Sequence, residues 1–170
     1  MRCVEIEGYC QLKPEGYNQD PSSISSQTEQ YNCIAFALGE TQKPWWPSKR
    51  LKDDYEWPSH LVREEEGKET LQNFIRVFET KGYRVCRSGT LMRGIEKVAI
   101  FADLFRRPTH AARQLESGVW KSKCGDYEDI EHYDVNFCSA YGTAAIYMHR
   151  RRDGKSFLME RIKKFLKRFL

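Results

Sequence analysis

The sequence has no CxxC pair and no short cluster of cysteine and histidine, although it contains six cysteines and four histidines. Structural zinc sites need such closely spaced ligands, so their absence argues against a zinc-binding domain. An even number of cysteines could form disulfides, but a chain of this length can bury a sizeable core without them. We therefore expect reduced thiols in a reducing compartment, and no metal or organic cofactor is implied.

The sequence also lacks long apolar runs, internal repeats and low-complexity segments. No run approaches the roughly 18 residues that span a bilayer, and MRCVEIEGYC lacks the apolar segment of a secretory signal. These absences predict an intracellular, cytoplasmic protein. The 170 residues fit one domain, expected over residues 1–150 with residues 1–26 as an irregular arm.

Charge is unevenly distributed along the chain. The net charge of +4 is mild, and residues 149–170 carry most of the basic excess. Within residues 151–170, KSFLMERIKKFLKRFL places apolar and basic side chains on opposite sides of an expected amphipathic helix. This tail, including residues 155–170, could pack on the domain, bind an acidic membrane surface or bind a partner protein. No nucleic-acid motif accompanies it, so we expect no nucleic-acid binding.

Apolar spacing predicts two helices followed by strands. One helix should cover residues 31–38 and end at Gly39, and KETLQNFIRVFETKGY has the helical period of a second. KVAIFA is typical of a central strand, THAARQL-ESG-VWKSK of a hairpin and TAAIYMH of a last strand, whereas DYEDIEHYDVNF favours a short helix. The pattern predicts an α+β fold with an antiparallel sheet of about four strands.

Cys33 is the cysteine placed where a helix is expected to begin, in QTEQYNCIAFALGET. A helix start favours the thiolate and offers N–H groups to an oxyanion, so Cys33 is a candidate nucleophile. Gln27 and Asn32 are candidate oxyanion-hole donors, although Asn32 could instead cap the helix. A buried structural thiol is the competing interpretation of Cys33.

His110 is the candidate base for this thiol, because it opens a predicted strand and is followed by two alanines that leave room for another element. The residue that would orient the imidazole is left open among Asp103, Ser122, Asp129 and Glu131. A carboxylate is favoured because it would also stabilise the imidazolium ion.

The order of the candidate residues resembles that of the papain-like superfamily, in particular the compact NlpC/P60-type enzymes. It has a cysteine on the first main helix, then a histidine that opens a strand, then a later polar residue. The six-residue interval from Gln27 to Cys33 is similar to that of papain's oxyanion-hole glutamine. The resemblance implies N-terminal helices packed on the sheet, with the tail as an added C-terminal helix. It also implies a cysteine-dependent hydrolase or acyltransferase acting on an amide bond in a peptide or protein substrate, as a peptidase, amidase or glutamine deamidase. The C-G-[SA]-C-[WY] pattern of papain is absent.

The segments NCIAFALG, PWWP, THAARQL, SK-x-G and DIEH together resemble an uncharacterised bacterial domain family with NCIAWALG, WWP, THAARQL, SKLG and DIEH motifs. This resemblance implies that Cys33, Trp46, His110, Ser122, Lys123 and the DIEH carboxylates form one constellation. A Ser122–Lys123 pair is disfavoured, because adjacent strand residues face opposite sides.

Trp45 and Trp46 are candidate substrate-binding residues that could wall a cleft, or they could pack in the core. The alternative to an enzyme is a non-enzymatic interaction module, in which Cys33 is buried and the Trp-rich loop and basic tail bind a partner protein or a membrane surface.

Overall fold

A computed structural model of the chain describes residues 22–47, 55–58, 61, 69–154 and 165. Seven strands form one antiparallel sheet in the order β1-β6-β5-β4-β3-β7-β2. Along the chain the elements are β1 (Ser22–Ser23), α1 (Cys33–Leu38), α2 (Leu71–Thr80), β2 (Arg84–Cys86), β3 (Ile95–Ala102), β4 (Pro108–Gln114), β5 (Trp120–Lys123), β6 (Asp129–His132), a 3-10 turn (Ser139–Tyr141) and β7 (Thr143–Arg151).

Both helices begin at side-chain caps. The Oδ1 atom of Asn32 accepts from the backbone N–H of Ala35 at 3.0 Å, and Gly39 ends α1 in the left-handed conformation at φ 84°. Thr70 caps α2 by accepting from the N–H of Asn73 at 3.3 Å. The buried apolar residues of α2 recur at helical spacing, so one side of the helix packs on the sheet: Leu71, Phe74, Val77 and Phe78.

The sheet is covered on both sides, and strand alternation decides which side each residue joins. Val98 and Ile100 of β3 pack with α1 and α2 on what we call the helix face. Ala99 and Phe101 face the other way. There they pack with side chains from β4–β6 and from the segment before β7, on what we call the aromatic face: Ala112, Trp120, Cys124, Ile130, Phe137, Cys138 and Tyr141.

The predicted α+β, papain-like fold is wrong. The described residues form a mainly β structure with seven strands and two helices of six and ten residues. The two helices, the central strand over KVAIFA, the THAARQL–VWKSK hairpin and the last strand are confirmed as elements. The errors are the number of strands, seven instead of about four, and the layers, since the sheet is covered on both sides. The short run of residues 83–86, also expected as a strand, contains β2. The edge strand β1 has only two residues, too few for a period, and its pairing with β6 defines it.

DIEH forms strand β6 rather than the predicted helix. Asp129 and Glu131 face one side and Ile130 and His132 the other, which is a two-residue period. Residues 155–164 and 166–170 of the tail and residues 1–21 of the arm lie outside the described residues, so the predictions for these segments stay predictions. Within the described part of the chain, no helix has the length and apolar character to cross a bilayer.

Gly142 allows β7 to approach β3 closely. Its φ of 75° and ψ of −134° belong to a region that essentially only glycine adopts. A Cβ atom there would lie 2.0 Å from the carbonyl oxygen of Ala102.

We expect Gly142→Ala to lower the free energy of unfolding by about 3 kcal/mol or more, because backbone strain and displacement of β3 add. Gly82→Ala is the matched control, since its φ is also positive but its Cβ would meet nothing within 4 Å. The control should cost only about 1–2 kcal/mol. Denaturant unfolding measures both values, and equal losses would contradict the expectation.

Candidate functional site

Cys33 is the first residue of α1 and has no exposed surface (0 %). The helix lies against β4 and β5, and the small side chain of Ala111 in β4 belongs to the same core as Cys33. Asn32 is committed to structure. Its Oδ1 also accepts from the N–H of Trp45 at 3.1 Å, and its Nδ2 donates to the carbonyl oxygen of Trp45 at 2.9 Å. It therefore caps the helix and joins it to the following loop.

Lys123 ends β5 on the helix face and is also fully buried (0 %). Its Nζ donates to the carbonyl oxygen of Tyr127 and lies 5.6 Å from the centroid of the Tyr31 ring. Burial lowers the pKa of Lys123, while Asp129, Asp126, Cys124 and Cys33 raise it in part. Since α1 packs against β5, Lys123 lies on the same side of the sheet as Cys33.

Asp129 faces Lys123 across the β5–β6 pair and is 7 % exposed. Its Oδ2 accepts from the hydroxyl of Tyr31 at 2.8 Å. Burial, followed by the hydrogen bond to Asp129 and its negative charge, raises the pKa of Tyr31 to about 12. The other oxygen, Oδ1, is buried and has no hydrogen-bond partner among the described residues. Because buried carboxylate oxygens are normally paired, this acceptor is a feature to explain.

We call Cys33, Lys123, Asp129 and Tyr31 the Cys33 site. It brings together a thiol, a buried amine and a carboxylate, contributed by α1, β5 and β6, with the half-buried Tyr31 ring lying over the amine. These are the groups needed for proton transfer to and from a thiol.

His110 does not join the Cys33 site. Ala111, its neighbour on β4, packs with Cys33 on the helix face, whereas the His110 ring stacks on Tyr141 of the aromatic face with centroids 4.0 Å apart. The imidazole is fully buried, and neither ring nitrogen has a hydrogen-bond partner among the described residues. The sheet therefore separates Cys33 from the histidine expected to be its base.

Ser122 faces the aromatic side, where its Oγ lies 2.8 Å from Nε2 of His132. Nδ1 of His132 donates to the carbonyl oxygen of Asp134 at 2.7 Å, which leaves Nε2 to accept from Ser122. This order resembles the serine–histidine pair of hydrolases. However, the Phe137 ring covers His132 with centroids 3.8 Å apart, and all three residues are buried. The bond satisfies two polar groups inside a core.

Two further candidate residues, Glu131 and Gln27, lie close to β6: Glu131 in the strand itself, and Gln27 next to the residue that precedes it. Glu131 forms an ion pair with Lys121, with 3.0 Å between Oε1 and Nζ. Neither Asp129 nor Glu131 can orient His110, because they face the opposite side of the sheet. Gln27 is exposed, and its Nε2 donates to Oε1 of Glu128 at 3.4 Å, beside the Cys33 site.

Trp46 is buried in the core. Its Nε1 donates to Oε1 of Glu69 at 2.8 Å, and its ring meets Phe74 of α2 edge-on with centroids 5.0 Å apart. Trp45 is partly buried, with the Lys81 Nζ 5.4 Å from its ring centroid. The pair thus connects the loop after α1 to α2, and these packing contacts account for its position.

No role was predicted from the sequence for Tyr31, and for Lys123 only a place in one constellation with Cys33. A usable signal lies in WKSK, where a two-residue period puts Trp120 and Ser122 on one face and Lys121 and Lys123 on the other. A lysine at an inward position of such a strand indicates a buried amine. Across the described ranges, no group of three or more His, Cys, Asp or Glu residues could hold a metal ion.

The chain belongs to the family described as Domain of unknown function (DUF7689), whose family model matches residues 22–149. This match covers most of the chain and includes the whole Cys33 site. Comparison with curated proteins and with solved structures found no match.

The two histidines of the aromatic face are buried in their neutral form. Burial is the main cause that lowers the pKa of His110 well below 6.5 and that of His132 to about 4. Both folded-state pKa values lie below 6.5, so the two histidines cost no stability above pH 6.5. Stability is lost as the pH falls below 6.5, and for His132 this loss continues down to about pH 4. We expect the free energy of unfolding to fall by about 1.4 kcal/mol per pH unit for each histidine in this range.

His110→Phe tests this expectation, because it keeps an aromatic ring and removes both unpartnered nitrogens. At neutral pH the free energy of unfolding should be unchanged or higher by roughly 1 kcal/mol. In acid, the free energy of unfolding of the variant should fall less steeply with pH than that of the wild type, because one histidine fewer takes up a proton on unfolding. Denaturant titrations over a pH series measure both quantities, and an unchanged acid slope would contradict neutral burial of His110.

Proposed function

We propose that this protein is a cysteine-dependent hydrolase or acyltransferase acting on an amide bond, with Cys33 as nucleophile and Lys123 as its proton acceptor. Lys123 takes the role that the sequence alone suggested for His110. The single observation that carries the proposal is the burial of the Lys123 amine opposite Asp129, on the strand against which α1 and its Cys33 pack.

The reaction begins when Lys123 Nζ takes the thiol proton and the thiolate sulfur attacks the carbonyl carbon of the substrate. A carbon–sulfur bond forms and the carbonyl oxygen becomes an oxyanion. When the carbon–nitrogen bond breaks, Lys123 returns the proton to the leaving amine. Water then hydrolyses the thioester and restores the thiol, or an amine acceptor takes the acyl group instead.

The surroundings of Lys123 suit both halves of this cycle. A buried lysine with a lowered pKa has a larger neutral fraction, which can accept a proton. Once Lys123 is protonated, the nearby Asp129 carboxylate stabilises the ammonium ion. The unpaired Oδ1 of Asp129 is available to accept a hydrogen bond from the N–H group of a substrate amide.

Access to the thiol requires a movement of Tyr31. Its ring lies over Lys123 Nζ, and its hydroxyl is bonded to Asp129. The neighbouring polar residues Asn32 and Tyr127 are also partly exposed, so this side of the site is nearer to solvent than the Ser122–His132 pair. We infer that substrate binding displaces the Tyr31 ring.

Thiol labelling tests the pairing of Cys33 with Lys123. Iodoacetamide labelling at neutral pH, resolved by residue with mass spectrometry, should be about tenfold slower at Cys33 in Lys123→Met, because the amine no longer favours the thiolate. Lys121→Met is the matched control, since Lys121 lies on the same face of β5 and pairs with Glu131. Equal labelling of Cys33 in wild type and Lys123→Met would contradict the role of Lys123.

Substrate screening tests the activity itself. A panel of fluorogenic peptide amides, glutamine-containing peptides and peptide esters should reveal turnover by the wild type. Cys33→Ala should lose this turnover by roughly a thousandfold or more, as expected when a nucleophile is removed. His110→Phe should retain it. Turnover that survives Cys33→Ala, or its absence across the whole panel, would argue against the proposal.

The second candidate is a non-enzymatic interaction module, and the complete burial of Cys33 favours it. Cys124 and Cys138 are likewise buried and lie on the aromatic face. If Cys33 labels no faster than these two cysteines in the folded protein, its thiol is structural and the module is the better description.

A further inference from the structure

The turn between β3 and β4, residues 103–107, presents two large apolar side chains to solvent. Leu104 is 99 % exposed and Phe105 is 80 % exposed, the highest values among the exposed large hydrophobic residues of the described chain. Their neighbours Ala102 and Pro108 are buried in the sheet. The apolar pair therefore lies at the tip of the hairpin, away from the core.

Asp103 holds the backbone of this turn in place. Its Oδ1 accepts from the N–H groups of Phe105 and Arg107, both at 2.9 Å, and its carbonyl oxygen accepts from the N–H of Arg106 at 2.9 Å. Arg106 is the one non-glycine residue with positive φ in the described chain, at 60°. A turn fixed in this way, with a strained residue, indicates a conformation maintained for recognition rather than a loose loop.

Basic groups surround the apolar tip. Nε of Arg107 donates to Oδ2 of Asp103 at 2.6 Å. The Arg107 guanidinium lies 5.1 Å from the centroid of the Phe105 ring. Arg106 is exposed, and no carboxylate within the described ranges pairs with it. The turn therefore combines two exposed apolar side chains with a net charge of +1, from two arginines and one aspartate.

We propose that this turn inserts Leu104 and Phe105 into the surface of an anionic lipid bilayer, with Arg106 bound to lipid phosphate or carboxylate groups. The size of the turn favours a membrane over a protein partner. A stable protein interface buries about 800 Å² on each side through 20–30 residues, whereas the exposed apolar surface here is confined to two adjacent side chains. A bilayer accepts a small wedge when a second anchor acts with it.

The tail supplies the same chemistry in the sequence. Residues 155–170 contain six basic residues and one acidic residue, together with repeated Phe and Leu. The turn and the tail thus both combine apolar with basic residues. An anionic lipid bilayer suits both segments, because it has an apolar interior and negatively charged headgroups. This inference is independent of the chemistry proposed for Cys33.

Vesicle sedimentation of the full chain tests the proposal, with phosphatidylcholine vesicles compared with vesicles that also contain phosphatidylserine. The wild type should bind the mixed vesicles more tightly, and high salt should weaken this binding. Replacing Leu104 and Phe105 by serine should reduce the partition coefficient about tenfold. Arg106→Gln should reduce it about fivefold on mixed vesicles only, the factor expected for one elementary charge.

Leu91 and Met92, replaced by serine, form the matched control. They are also exposed, at 44 % and 51 %. They precede β3, whose eight residues span about 23 Å, and so lie at the opposite end of that strand from the turn. The control should bind as the wild type does. Wild-type binding by the Leu104–Phe105 variant would overturn the proposal and assign binding to the tail. No binding of the wild type to either vesicle would also overturn it and leave a protein partner as the occupant.

Discussion

Alternation along β3, β4 and β5 is the constraint on which the rest of the structure depends. These strands are buried on both sides, so each residue must join either the helix face or the aromatic face. A shift of one residue in pairing would exchange the two sets of side chains. The pairing of Ala112 with Ser122 across β4 and β5 fixes this assignment and places Lys123 beneath α1.

The buried polar groups of the two faces differ in charge. On the aromatic face, burial keeps His110 and His132 neutral, and His132 uses both ring nitrogens in hydrogen bonds. On the helix face, Lys123 and Asp129 lie opposite each other as potential charges, with Tyr31 bonded to the carboxylate. Removing two charges from water is costly unless they are paired and hydrogen-bonded, so this face keeps an arrangement that stability alone does not require. That imbalance is the reason to assign chemistry to the Cys33 site.

The predictable parts of the fold were those with a local signal. Asn32 and Gly39 mark the ends of α1 by capping chemistry, and the Glu-Ser-Gly turn marks the β4–β5 hairpin. DIEH was misassigned because its two-residue period lasts only four residues within an acidic segment, and pairing with β5 is what defines it as a strand. His110 was expected to face Cys33, and it does not: Ala111 packs beside α1, as expected of a small side chain, but His110 next to it faces the other side of the sheet.

By itself the sequence determined the positions of both helices and the central strands, and the position of Cys33 at the start of α1. These follow from short-range capping, turn chemistry and apolar period, which act within a few residues. Tertiary structure alone decided the seven-strand sheet, the separation of His110 from Cys33 and the packing of α1, which begins at Cys33, against β5, which ends at Lys123. The physical reason is that a local period fixes only the alternation of side chains within one strand, whereas the choice of partner strands and of the helix that covers each face depends on contacts between segments far apart in the chain.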